Sequence, residues 1–178
     1  WATECWVYGD PSEMDDDRPE ISTTIANHTQ SSHLRMTITG HGQGNTNNAA
    51  EFSNQTHQLV VNGTVEDNHN LWKNDCGQND CANQAGNWTP SRAGWCPGQE
   101  VQPYTFDLTD NMTPGSAMTL DYELEDYTNL LNTGYNNTGH TEPHYRIFGY
   151  LVEESETRYG DFNNLRAESV TVLNDGTN

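Results

Sequence analysis

Short segments in which apolar residues recur at every second position run through this chain, and that period belongs to half-buried β-strands rather than helices. Leu34, Met36 and Ile38 form one set, Leu59 and Val61 a second, Tyr104, Phe106 and Leu108 a third, and Met118, Leu120, Tyr122 and Leu124 a fourth. Further strands are expected from Cys5 to Tyr8, Ile21 to Ala26, Tyr145 to Val152 and Val170 to Leu173. Clusters of Gly, Asn, Asp and Pro, which supply turn geometry, lie between them. The reading is all-β: a single antiparallel jelly roll or β-sandwich of about eight strands, with no convincing helix and no internal repeat.

At 178 residues the chain has the length of one domain. Residues 1–20 read as an extended acidic N-terminal arm, with the run Asp15-Asp16-Asp17 at its centre, and residues 21–178 as the β domain. No stretch approaches the roughly 18 apolar residues of a membrane-spanning helix, so no transmembrane segment is expected. Trp1 cannot be a translation start, which implies removal of a signal peptide or trimming.

The segment Gly63 to Gln102 stands apart: long, polar, rich in Trp and Gly, and holding three of the four cysteines. A loop of that length needs a staple. Cys5, Cys76, Cys81 and Cys96 allow three pairings, and with no Cys-x-x-Cys or Cys/His zinc spacing, two disulfides are expected rather than a metal. Asn27, Asn54, Asn62, Asn87, Asn111 and Asn136 each begin an Asn-x-Ser/Thr sequon. Disulfides and N-glycosylation together point to a secreted protein, extracellular or at a cell surface.

A net charge of -19, with Lys73 the sole lysine, repels phosphate backbones and anionic lipid, which excludes nucleic acid as a partner. No phosphate loop, dinucleotide fingerprint, EF-hand or Gly-x-Ser-x-Gly elbow is present, and no cofactor is expected. Trp72, Trp88 and Trp95 crowd into the stapled segment, where Trp72 and Trp88 are candidates for stacking on sugar rings.

Three pieces in fixed order carry a resemblance. Thr39-Gly40-His41-Gly42 is followed by Ala50-Glu51-Phe52; then comes His57 to Gly63; then Asp75-Cys76-Gly77 leads to Gly86-Asn87-Trp88 and to Ser91-Arg92-Ala93-Gly94-Trp95-Cys96-Pro97-Gly98. Together they resemble the C-terminal jelly roll of the peptide N-glycosidase F family, over roughly Leu34 to Leu108. The resemblance implies a jelly-roll fold for 21–178, a Cys76–Cys96 disulfide that leaves Cys5 and Cys81 as partners, and Glu51 as one catalytic carboxylate. It also implies that the main catalytic aspartate comes from a preceding jelly roll, and a chain of one domain's length has no room for it. Family members bracket the glutamate with cysteines, where this chain has Ala49 and Ser53. The fold is shared with copper monooxygenases, whose His-x-His ligand pattern is missing around His41, His57, His69, His140 and His144. Arg92, Gly94, Trp95 and Gly98 read as structural, with Arg92 and Trp95 placed for a cation–π pair.

The expectation that follows is a non-catalytic structural or assembly module, self-associating into a homo-oligomer or fibre through the arm or a free C-terminal strand. A carbohydrate-binding module comes second, and a glycoamidase using Glu51 third.

Overall fold

The computed structural model describes residues 1–6, 19–42, 51–81, 84–125 and 143–156. Eight strands form two four-stranded antiparallel sheets: β1 (Ala2–Trp6), β2 (Ile21–Thr24), β3 (Ser31–His41), β4 (Thr56–Val61), β5 (Thr64–Asn70), β6 (Tyr104–Asp107), β7 (Ala117–Leu124) and β8 (His144–Glu154). Sheet A runs β1-β8-β3-β6 and sheet B runs β2-β7-β4-β5. Single-turn 3-10 segments at Cys76–Gln78 and Thr109–Asn111 are the helical elements among the described residues.

The apolar period does what its spacing requires. Leu34, Met36 and Ile38 of β3 and Tyr145 and Ile147 of β8 form the inner face of sheet A, and Leu59, Val61, Met118, Leu120 and Tyr122 that of sheet B. All ten are 2 % exposed or less, so each contributes the roughly 1.5–3 kcal/mol of a fully buried apolar side chain. In β4 the alternation breaks, because a register shift between Leu59 and Val60 leaves Leu59, Val60 and Val61 all buried.

Two of the strand expectations change. Strand β5 occupies the start of the segment read as a loop from Gly63 to Gln102. All but one of its residues are polar, Val65 being the exception, and its place at a sheet edge lets them stay so, which hides it from an apolar-period search. The signal was present in Asn62-Gly63, whose positive φ values of 51° and 75° fit the tight turn joining β4 to β5. The first strand covers Ala2–Trp6 rather than Cys5–Tyr8 and pairs with β8 from Ala2↔Phe148 to Trp6↔His144, so the start of the expected arm belongs to the chain's own sheet. Residues 7–18, with the acidic run, lie outside the described residues, as do His140, Asn136 and the strand expected at Val170–Leu173.

The staple forms between Cys76 and Cys96, with Cα atoms 5.2 Å apart. Closing a 20-residue separation stabilises by about 3 kcal/mol in the chain-entropy picture. Cys81, expected to pair with Cys5, instead carries a free and exposed thiol. It donates to the Gly98 carbonyl at 3.3 Å, and Asn79 fixes its backbone by accepting from the Cys81 N–H at 2.8 Å. The side chain of Cys5 is outside the described residues.

Between the sheets sits a second polar group. His57 is fully buried, and neither ring nitrogen has a hydrogen-bond partner among the described residues. His69 is held at both nitrogens, by Asp67 Oδ2 at 2.7 Å and by the Tyr122 hydroxyl at 2.9 Å. Loss of hydration at His57, and then the charge of His69, push its pKa down to about 3.

Candidate functional site

Where β6 ends, β3 would have a bare edge from Ile38 to Gly40, and the stapled segment fills it. Gly40 N–H donates to the Ala93 carbonyl at 3.0 Å, and Trp95 Nε1 donates to the Gly40 carbonyl at 2.8 Å. Gly94, at φ 78°, lies so close that a Cβ there would sit 2.3 Å from the Ile38 carbonyl oxygen, which restricts the position to glycine. Arg92 and Lys73 form a two-way backbone bridge at 2.8 and 3.0 Å. Glu51 is tied to the same segment: its N–H donates to Gly42 at 3.1 Å and its carbonyl accepts from Ala93 N–H at 2.8 Å.

These ties bring four side chains together. The Glu51 carboxylate is 3.5 Å from Arg92 Nη1, with side chains 16 % and 2 % exposed. The guanidinium lies 5.1 Å from the Phe52 ring centroid and 4.9 Å from that of Trp95, so two π faces and one carboxylate surround it. Arg92 Nη2 donates to the Asn87 carbonyl, whereas its Nε is buried with no partner among the described residues. His41 packs 5.2 Å from Trp95 and 5.4 Å from His144, its register partner across β3 and β8.

Burial raises the pKa of Glu51 above the usual carboxylate range, opposed by the Arg92 charge, a backbone hydrogen bond from Gly42 and the charge of His144. Burial lowers that of Arg92, and Glu51 opposes it. No other carboxylate acts on either group among the described residues. The arrangement therefore offers one acid displaced toward its protonated form, a buried guanidinium that holds it in place, and two aromatic walls. Such a set suits a polar ligand with an amide or hydroxyl oxygen and an apolar face. No cluster of three or more metal-ligating side chains occurs among the described residues.

Of the residues singled out from sequence, Glu51 stands at this site, and Arg92 and Trp95, read as structural, form its walls. Trp72 and Trp88 are half-buried and make no ring or cation contact among the described residues. Phe52, His41 and His144 carried no sequence signal as site residues. The scarcity of cations was the available clue to Arg92: it is one of four Lys or Arg among the described residues, in a segment rich in tryptophan. Among the sequons, Asn27, Asn54, Asn62 and Asn87 are exposed, while Asn111 is half-buried. The Asn62 amide is already engaged, donating to the Asn111 carbonyl at 2.9 Å and accepting from Thr119 N–H at 3.0 Å.

Comparison with known proteins places this geometry. Residues 10–152 match the family described as peptide-N-glycosidase F, C terminal. The chain is 32 % identical over 139 residues to the peptide-N(4)-(N-acetyl-beta-D-glucosaminyl)asparagine amidase F of Elizabethkingia miricola, covering 75 % of this chain and 37 % of that protein. A solved structure of recombinant N-glycanase F superposes with a TM-score of 0.65 at 28 % identity, over 79 % of this chain and 45 % of the other. The glycosylasparaginase of Flavobacterium meningosepticum gives 0.64 at 30 % identity, over 78 % and 44 %. The chain thus spans less than half the length of the relatives it matches. The sandwich, the Cys76–Cys96 staple and the matched span agree, and the chain belongs to the family of the peptide-N-glycosidase F C-terminal domain.

Proposed function

We propose that this domain is secreted and forms the glycan-holding part of an amidase-type site, binding the innermost sugar of an asparagine-linked glycan at Glu51 and Arg92. The observation that carries the reading is the Glu51–Arg92 pair, buried between the rings of Phe52 and Trp95. A sugar offers hydroxyl and amide groups to the Glu51 carboxyl, which the buried Arg92 guanidinium positions, and an apolar face to the half-buried Trp95. Glu51, displaced toward its acid form by burial, is suited to donate a hydrogen bond or a proton to the linking amide. Amide hydrolysis also needs a group that activates water, and that second carboxylate would come from outside the described residues. The formed disulfide supports an oxidising, extracellular setting.

The test uses a glycopeptide carrying an asparagine-linked chitobiose. Calorimetry should show binding by this chain, weakened at least about tenfold by Arg92→Ala, while mass spectrometry of the mixture shows the sugar still attached. Equal affinity for glycopeptide and bare peptide would overturn the reading.

A further inference from the structure

Residues of sheet A that face away from the core form rows across β3 and β8. His41 stands beside His144, Thr39 beside Arg146, Thr37 beside Phe148, Arg35 beside Tyr150, and His33 beside Val152. The first row belongs to the candidate site. His144 is 8 % exposed although its strand position faces outward, because the segment carrying Trp95 and Glu51 packs over this end of the sheet. Beyond it the face opens. Phe148 is 54 % and Tyr150 45 % exposed, two of the three exposed large apolar side chains among the described residues, with ring centroids 5.9 Å apart. From His144 to Tyr150 is six residues of one strand, or about 20 Å at roughly 3.3 Å per residue.

We propose that this strip, from His144 to Tyr150, binds the outer sugars of the same oligosaccharide whose innermost residue sits at Glu51 and Arg92. The proposal rests on the function proposed above and extends it to the ligand's length and composition. Three observations favour an extended sugar chain. The strip is continuous with the site through one pair of strands. Its two exposed rings stand 5.9 Å apart on one face, tilted 58° to each other, so each can take a separate residue of a sugar chain. Around them stand side chains that hydrogen-bond hydroxyls: Arg35 and Thr37 on β3, Thr105 opposite Arg35 on β6, and Arg146 on β8. A formal charge of -19 on the chain disfavours an anionic glycan, so the ligand is a neutral one.

Three probes separate the possibilities by calorimetry at fixed salt: asparagine bearing chitobiose, asparagine bearing the same chitobiose extended by neutral mannose residues, and chitobiose on a longer peptide. The mannose-extended probe should bind at least about tenfold more tightly than the chitobiose probe, and Phe148→Ala with Tyr150→Ala should erase that gain while leaving chitobiose affinity within about twofold. Both side chains are exposed, so the double variant should keep the wild-type melting curve. Arg92→Ala should weaken both probes together. Equal affinity for the short and extended sugars, a gain that survives the double variant, or a gain from the longer peptide instead would overturn the strip and leave the Glu51 site standing. Failure of all three probes to bind would overturn both.

Discussion

His57 lies between the sheets with neither ring nitrogen partnered among the described residues and the rings of Tyr122 and Tyr145 5.5 and 4.8 Å away, whereas His144, nearly as buried, lies under the loop that holds Glu51 and Arg92. The two sites differ in what surrounds the imidazole rather than in how much water is removed. Burial among apolar side chains and phenol rings, with the His69 imidazole 6.0 Å away, keeps His57 from carrying a charge, so it stays neutral at neutral pH. Beside His144, removal of water is accompanied by a carboxylate and a guanidinium that answer each other at 3.5 Å. Burial thus makes a neutral core residue in one place and a charged cluster at the candidate site in the other.

The sharpest way to separate the two regions is acid. The unfolded chain takes up the His57 proton near pH 6.5 while the folded chain resists it down to about pH 3, so stability is full above pH 6.5 and falls as pH drops toward 3. At about 1.4 kcal/mol per unit the loss amounts to roughly 5 kcal/mol. Denaturant titrations of the wild type and of His57→Leu, compared from pH 7 to pH 4, should show this slope in the wild type alone. A variant that keeps the slope would mean that His57 is not its source.

Removing the staple acts on the other region. Cys76→Ser with Cys96→Ser should cost about 3 kcal/mol and speed amide exchange at Gly40 and Lys73, while leaving the His57 slope as it was. Unchanged exchange at Gly40 would detach the disulfide from the site. Glu51→Gln leaves the buried Arg92 guanidinium without its counter-charge and should lower stability by about 2 kcal/mol. In addition, the variant should abolish any dependence of glycopeptide affinity on pH between 4 and 7. Gly63→Ala places a side chain at φ 75° in the β4–β5 turn and should cost about 1 kcal/mol by thermal melting, with glycopeptide affinity unmoved.

How much of this was legible in the sequence follows the range of the interactions. Strands β3 and β7 show an unbroken alternation because one face of each is core from end to end, as the burial of Leu34, Met36, Ile38, Met118, Leu120, Tyr122 and Leu124 confirms. An edge strand such as β5 has no such requirement, and only its turn residues give it away. At the site, Glu51 could be found because it stands in a local pattern. His144 could not: it reads as a solvent-facing residue at a strand end, and its burial comes from a loop about 50 residues earlier in the chain. Arg92 looked structural because both roles require the same contacts with Trp95, and the missing partner of its Nε is a fact of three dimensions.

The pairing of Ala93 with Gly40 has a consequence for solubility as well as for binding. An uncovered stretch of β3 beyond β6 would present unpaired amides and carbonyls next to Met36 and Ile38, which is the kind of edge that recruits a strand from another molecule. The loop that builds the candidate site therefore also shields the fold against aggregation, and opening it under reducing conditions would cost the protein its colloidal stability.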